Sequence, residues 1–185
     1  MNFSNELNLG WITPIRTASR SCHSIQKRLN FDVYGTHLFE IDSYKENFYI
    51  IFNVRNPLHR LVSIFKLWSI HNNRFVNFNK FVSSILDDSH RSIGYYDVYL
   101  EDILKKLPRK PDLYLRTEFF ENDLKKCKLI SEILIEDDFV NQYESEGQPW
   151  QSYYDEKLVD LVYEKLNFEF VTFGYNKNYW IDGNP

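Results

Sequence analysis

Phe48–Val54 (FYIIFNV) and the residues that follow, Arg55–Ser63 (RNPLHRLVS), decide the fold. The first stretch is rich in aromatic and β-branched residues, which is typical of a strand buried on both faces of a parallel sheet. Asn56 and Pro57 then supply a helix N-cap and a proline at the first helical position. The pattern therefore predicts a strand, a loop and a helix in that order.

The rest of the chain continues this alternation of strands and helices. We predict strands at Leu9–Thr13 and Asp112–Arg116, an exposed loop at Asp137–Trp150, and helices at Ala18–Leu29, Phe75–Leu86, Tyr96–Leu107, Phe119–Leu134 and Tyr153–Leu166. Because strands that alternate with helices form parallel sheets, the predicted fold class is α/β. We expect a P-loop-like parallel β-sheet flanked by helices on both faces, in a single domain over residues 1–185.

Composition and charge exclude several classes of protein. The chain has a formal net charge of -4 and no long Lys/Arg run, so general binding to nucleic acid is not expected. Its two cysteines, Cys22 and Cys127, have no spacing typical of a metal site. No signal peptide or membrane-spanning apolar stretch is evident, which predicts a cytoplasmic protein that does not bind a membrane.

The first candidate site is the loop Pro14–Ser21 (PIRTASRS), between the first predicted strand and its helix. It places two guanidinium groups and three hydroxyls at a helix N-terminus, where backbone N–H groups and the helix dipole favour an anion. It lacks the glycines and the Gly-Lys-Ser/Thr ending of a Walker loop. The alternative interpretation is a polar helix cap with solvated arginines.

The second candidate site is formed by Arg55 and Ser63. Arg55 lies at the carboxyl end of the Phe48–Val54 strand, and Ser63 comes eight residues later, about two turns into the predicted helix. We expect both side chains to face one ligand. Taken singly, each residue is more often structural.

Together these segments resemble the carbohydrate, 2-O-sulfotransferase-like branch of the sulfotransferases that use 3'-phosphoadenosine 5'-phosphosulfate (PAPS). Arg16–Ser21 is similar to the family's Pro-Lys-Thr-(Ala/Gly)-(Ser/Gly)-Thr-Ser loop, and Arg55–Ser63 is similar to its Arg-Asp-Pro-x-x-Arg-x-x-Ser segment. Leu113–Asp123 and Tyr154–Tyr175 are similar to later segments in the same order. The chain departs from the pattern at Arg16 in place of Lys, Arg20 in place of Thr and Asn56 in place of Asp, and Ile15 is inserted.

The resemblance implies transfer of a sulfuryl group from PAPS to a hydroxyl of a small-molecule or glycan acceptor, without a metal. Arg16 would neutralise charge on the bridging oxygen, while the loop would hold the 5' end of PAPS through Thr17, Ala18, Ser19, Arg20 and Ser21. Arg55 and Ser63 would hold the 3'-phosphate. His37 is the implied catalytic base, and Glu40 is the next candidate.

Two other functions compete with this interpretation. A P-loop-type nucleotide kinase shares the predicted parallel sheet, but the missing Gly-Lys-Ser/Thr ending disfavours it. A non-catalytic module that binds PAPS or its product 3'-phosphoadenosine 5'-phosphate (PAP) is the other alternative, and the substitutions at Arg16 and Asn56 are compatible with it.

Overall fold

The computed structural model describes residues 2–32, 47–72, 77–87, 92–93, 96–134 and 148–182. They divide into two compact units, Met1–Val54 with Leu104–Ser145 and Arg55–Ile103 with Glu146–Pro185. Each unit is built from two separate segments of the chain. The single domain expected over residues 1–185 stays a prediction.

The described elements follow one another along the chain as an α/β protein. The strands are β1 Asn2–Ser4, β2 Leu9–Ile12, β3 Tyr49–Val54, β4 Ser92–Ile93, β5 Tyr96–Asp97 and β6 Leu113–Arg116. The helices are α1 Ser19–Arg28, α2 Pro57–Asn72, α3 Phe78–Ile85, α4 Leu100–Lys105, α5 Phe120–Leu124, α6 Glu156–Lys165, α7 Asn167–Phe173 and α8 Tyr179–Asp182. Among the described helices, none is both long and apolar enough to cross a membrane.

The first unit contains a four-stranded sheet in the order β1-β2-β3-β6. β2, β3 and β6 are parallel, with Ile51 paired to Trp11 on one side and to Leu113 on the other. β1 is antiparallel to β2, so the sheet is mixed and mostly parallel, whereas a parallel sheet was predicted. The sequence pattern does not reveal β1, because the strand has only three residues, two of them polar.

The core of the first unit lies against one face of this sheet. Alternate strand residues point toward α1 and the segment after β6, as the two-residue period of a strand requires. The buried cluster consists of Leu9, Trp11, Cys22, Ile25, Phe31, Ile51, Leu115, Leu124, Cys127 and Ile130. Residues on the other face of β3, such as Phe52, are also buried, as predicted. That helices flank both faces of the sheet stays a prediction.

In the second unit, α2 begins where the sequence predicts it. Asn56 accepts a hydrogen bond from the backbone N–H of Leu58 at 3.0 Å, so it caps the helix, and Pro57 occupies the first position. Phe65 on α2 packs against Phe78 and Phe81 of α3 at centroid distances of 5.2 and 5.1 Å. Aromatic residues make up 17% of the sequence, and pairs such as these bury large ring surfaces.

Two predicted helices begin later in the structure than the sequence indicates. Tyr96–Leu107 begins as the strand β5, and its helix starts only at Leu100. The predicted Tyr153–Leu166 helix starts later, at Glu156, because the Asp155 carboxylate caps it by accepting from the Leu158 N–H at 2.8 Å. It is also not the last helix, since α7 and α8 follow.

The long helix predicted over Phe119–Leu134 is divided into shorter pieces. A 3₁₀ turn at Thr117–Phe119 leads into α5, and a further 3₁₀ turn follows at Ser131–Ile133. Backbone bonds between Cys127 and Leu124 and between Ile130 and Cys127 span three residues, the spacing of a 3₁₀ turn. All three of these residues are buried, so their three-residue period favours tight turns over the 3.6-residue period of an α-helix.

Candidate functional site

The loop before α1 places two residues in the left-handed backbone region. Arg16 has φ 66°, and Ala18, the N-cap of α1, has φ 62° and ψ 30°. Ala18 makes no side-chain cap, and the first turn of α1 contains no acidic residue. The first amides of a helix have no acceptor within the helix, so this end of α1 favours an anion.

The side chain of Asn53, on β3, holds this loop in place through hydrogen bonds. Its Nδ2 donates to the Thr17 carbonyl at 2.7 Å and to Sγ of Cys22 at 2.8 Å, while its Oδ1 accepts from the Trp11 indole N–H at 2.7 Å. Asn53, Trp11, Thr17 and Cys22 are all fully buried. Buried neutral hydrogen bonds of this kind hold the loop in one conformation without any ligand.

Individual side chains of the loop fall into two groups. Thr17 is buried, and its hydroxyl donates to the Pro14 carbonyl at 2.5 Å, so this predicted ligand-binding hydroxyl closes the loop on itself. Arg16, Ala18, Ser19 and Ser21 are partly exposed. The side chain of Arg20 lies outside the described part of the structure.

Burial raises the pKa of the Cys22 thiol to about 12, which makes it an unreactive core residue.

The structure brings Arg55 and Ser63 together, as the sequence predicts. Nη1 of Arg55 lies 3.5 Å from Oγ of Ser63 and donates to it. Nη2 of Arg55 makes a shorter contact of 2.5 Å with Nε2 of His59. Arg55, His59, Ser63 and Lys66 are named here the cationic cluster.

The electrostatics of the cationic cluster are those of neighbouring positive charges. Burial and the charges of Arg55 and Lys66 lower the pKa of His59 to about 3. Burial and Arg55 also lower the pKa of Lys66. The positive charge of Arg55 thus disfavours protonation of both neighbours, which is the effect that a bound anion would relieve.

Aromatic rings border the cationic cluster in the second unit. The His59 ring stacks on Trp150 with centroids 5.2 Å apart and an interplanar angle of 17°. Trp150 also packs against Tyr179 at 5.1 Å. Lys66 lies over the Tyr153 ring, 5.6 Å from its centroid, and contacts the Gln148 carbonyl at 3.5 Å. These contacts restrict His59 to one orientation.

Two other residues of the Arg55–Ser63 segment are structural. Asn56 is fully buried and caps α2, a task that Asn and Asp perform about equally well. Arg60 is buried and donates to the Val98 carbonyl at 2.7 Å, and its Nη1 lies 3.9 Å from Oε2 of Glu169. Burial raises the pKa of Glu169 to about 7, although Arg60 opposes the shift.

The Leu113–Asp123 segment contains a second arginine at a strand end, and it is paired differently. Nε and Nη2 of Arg116 donate to the Asp123 carboxylate at 2.8 and 2.9 Å, and Lys126 also contacts that carboxylate at 2.6 Å. Burial tends to raise the pKa of Asp123, but these hydrogen bonds outweigh it and lower the pKa. Arg116 and Asp123 therefore lock the turn after β6.

Sequence reasoning missed Asn53, His59 and Lys66. Their signals are present: Arg55, His59, Ser63 and Lys66 are spaced by four, four and three residues, and the last three of them lie on one face of α2. Asn53 is an amide side chain near the carboxyl end of a strand that is otherwise aromatic and aliphatic. His37 and Glu40, the candidate bases, lie outside the described residues.

Within the described segments, no group of three or more His, Cys, Asp or Glu side chains could hold a metal ion.

Comparison with known proteins gives no relative. No protein-family model matches the chain, and neither the curated proteins nor the solved structures give a significant match.

Proposed function

We propose that this protein is a PAPS-dependent sulfotransferase that transfers a sulfuryl group to a hydroxyl acceptor, most simply a carbohydrate. The observation that carries the proposal is the cationic cluster, in which Nη1 of Arg55 lies 3.5 Å from Oγ of Ser63 and Nη2 of Arg55 lies 2.5 Å from Nε2 of His59. The proposal includes the predicted cytoplasmic location and the P-loop-like sheet with helices on both faces.

The cationic cluster suits a phosphate monoester. A guanidinium and a serine hydroxyl provide donors at adjacent positions, and guanidinium groups match the oxygens of phosphate in geometry. In the proposal, this phosphate is the 3'-phosphate, the group that distinguishes PAPS from ATP-like ligands. Burial lowers the pKa of His59 to about 3, with smaller contributions from the charges of Arg55 and Lys66, and a dianion at this place would oppose the effect of those two charges.

The first loop is assigned to the 5' end of PAPS. The open N-terminus of α1 supplies backbone N–H groups, and the partly exposed Ser19 and Ser21 supply hydroxyls. When bound, PAPS supplies the activated sulfuryl group. Arg16 contributes a permanent positive charge beside the departing oxygen, a form of electrostatic stabilisation that needs no proton transfer.

The acceptor side of the reaction depends on residues outside the described part of the chain. His37 is the proposed base that removes the proton of the acceptor hydroxyl, with Glu40 as the next candidate. Such a positioned base contributes about 10²- to 10⁴-fold to the rate.

Thermal unfolding with PAP, compared with ATP and magnesium, tests the nucleotide class. Selective stabilisation by PAP supports the proposal, while selective stabilisation by ATP with magnesium supports the kinase alternative. Turnover of labelled PAPS with a panel of carbohydrate acceptors then separates an enzyme from a binding module. If PAP stabilises the protein and no acceptor is sulfated, the module is the better description.

A further inference from the structure

His59 makes a contact whose chemistry is fixed by its partner. Nη2 of Arg55 lies 2.5 Å from Nε2 of His59, and a guanidinium can only donate a hydrogen bond. Nε2 must therefore be the acceptor, which requires a neutral imidazole with its proton on Nδ1. The lowered pKa of His59 agrees with this protonation state.

Neutral acceptors orient a guanidinium without cancelling its charge. His59 accepts from Nη2 of Arg55 and Ser63 accepts from Nη1, so these two bonds constrain the planar fork from both sides. Arg116 shows the contrast, because the carboxylate of Asp123 holds it and neutralises it at 2.8 Å. A carboxylate that holds an arginine adds a negative charge beside it, whereas a neutral imidazole holds it without adding one.

Trp150 explains how the imidazole keeps its orientation. Its ring is nearly parallel to that of His59, with an interplanar angle of 17°, and it packs in turn against Tyr154 and Tyr179. The hydroxyl of Tyr154 donates to the Leu58 carbonyl at 2.7 Å, which ties this aromatic group to the start of α2. The imidazole is therefore held at the face of a ring that is itself anchored.

We propose that His59 is a positioning residue that accepts a hydrogen bond from Arg55 and thereby gives the site its preference for a 3'-phosphorylated nucleotide. This inference rests on the proposed function. In this proposal His59 contacts Arg55, and Arg55 contacts the phosphate.

The test compares binding of PAP with binding of adenosine 5'-monophosphate (AMP), which differ only in the 3'-phosphate. His59→Phe keeps an aromatic ring against Trp150 but loses the acceptor, while His59→Gln keeps an acceptor near the position of Nε2. We expect His59→Phe to weaken PAP binding about five- to tenfold and to leave AMP binding within about twofold. His59→Gln should recover most of the lost affinity for PAP. His71→Phe, an exposed position on the same helix, serves as the control and should bind both ligands like the wild type.

His59→Glu gives a second test that does not depend on the folding of the phenylalanine variant. It keeps an acceptor but places a carboxylate beside Arg55, so PAP binding should fall at least about tenfold, with AMP binding much less affected. The inference is overturned if His59→Phe weakens PAP and AMP equally, if His59→Gln is as weak as His59→Phe, or if His59→Glu retains the preference for PAP. A wild-type protein that binds PAP no better than AMP contradicts the proposed function itself, and that result is visible without any variant.

Discussion

The two anion-binding regions proposed for this chain are built on different physical principles. The first loop is held by neutral, fully buried hydrogen bonds that converge on Asn53, and its conformation needs no ligand. The cationic cluster instead gathers Arg55, His59 and Lys66, where burial and the charge of Arg55 lower the pKa values of His59 and Lys66. One region is organised by neutral hydrogen bonds, and the other places charged and titratable groups side by side. The effects of substitutions in the two regions on the free energy of unfolding should therefore differ in size and in pH dependence.

The largest effect is expected from Asn53→Leu, which keeps the side-chain volume but removes three hydrogen bonds. The Trp11 indole N–H and the Thr17 carbonyl would both lose this buried partner. At about 1–3 kcal/mol for each buried polar group, the free energy of unfolding should fall by roughly 2–6 kcal/mol. Chemical denaturation measures this loss, which should be the same at pH 7 and at pH 5 because no titrating group is involved.

The matched control for Asn53→Leu is Asn79→Leu, at an exposed position near the start of α3. Its free energy of unfolding should stay within about 0.5 kcal/mol of the wild-type value. If the two substitutions cost the same, Asn53 does not organise the first loop.

A smaller effect, and one that depends on pH, is expected from His59→Phe. The pKa of His59 is lowered to about 3 in the folded protein, so its contribution to stability is present above about pH 6.5 and is lost as the pH falls toward 3. The variant lacks this loss. When the pH is lowered from 7 to 5, its free energy of unfolding should therefore rise by on the order of 1–2 kcal/mol relative to that of the wild type.

The contribution of Glu169 to stability depends on pH in the opposite direction. Its pKa is raised to about 7, so its stabilising contribution disappears as the pH rises from about 4.5 to 7. It is present in both proteins and cancels in the difference between them. Denaturation curves at three pH values therefore isolate His59. A wild-type-to-variant difference that does not change with pH contradicts a neutral, buried imidazole in the cationic cluster.

The smallest effect is expected from Ala18→Gly in the first loop. Ala18 has φ 62°, a conformation that costs a residue with a Cβ about 1–2 kcal/mol and costs glycine little. After allowing for the greater freedom of glycine in the unfolded chain, the variant should be about 0.5–1 kcal/mol more stable. Ser83→Gly, on the exposed face of α3, should instead be less stable than the wild type. A loss of stability in both variants is incompatible with the left-handed conformation of Ala18.

The sequence predicted those parts of the structure that local pattern determines. β3 and the start of α2 follow from an apolar run, an Asn cap and Pro57, and these signals act within a few residues of the chain. The structure brings Arg55, which precedes α2, within 3.5 Å of Ser63 on that helix, and that both face one ligand stays a prediction.

Other features depend on partners distant in the chain, and local pattern does not reveal them. Trp11 and Asn53 are 42 residues apart, so nothing near either residue indicates that they share a hydrogen bond. The role proposed for His59 depends on its contact with Arg55 and its stacking on Trp150 together, and Trp150 is distant in the chain.

The most direct test of the account is calorimetric binding of PAP and AMP to the wild type and to Arg55→Ala. We predict that the wild type binds PAP more tightly than AMP. We also predict that Arg55→Ala weakens PAP binding about ten- to a hundredfold, the value of one charged hydrogen bond, with AMP changed by less than about threefold. Arg28→Ala, at the exposed C-terminal end of α1, should bind both ligands like the wild type. Equal losses for PAP and AMP in Arg55→Ala, or a wild type that does not distinguish them, would contradict the assignment of the cationic cluster to a 3'-phosphate.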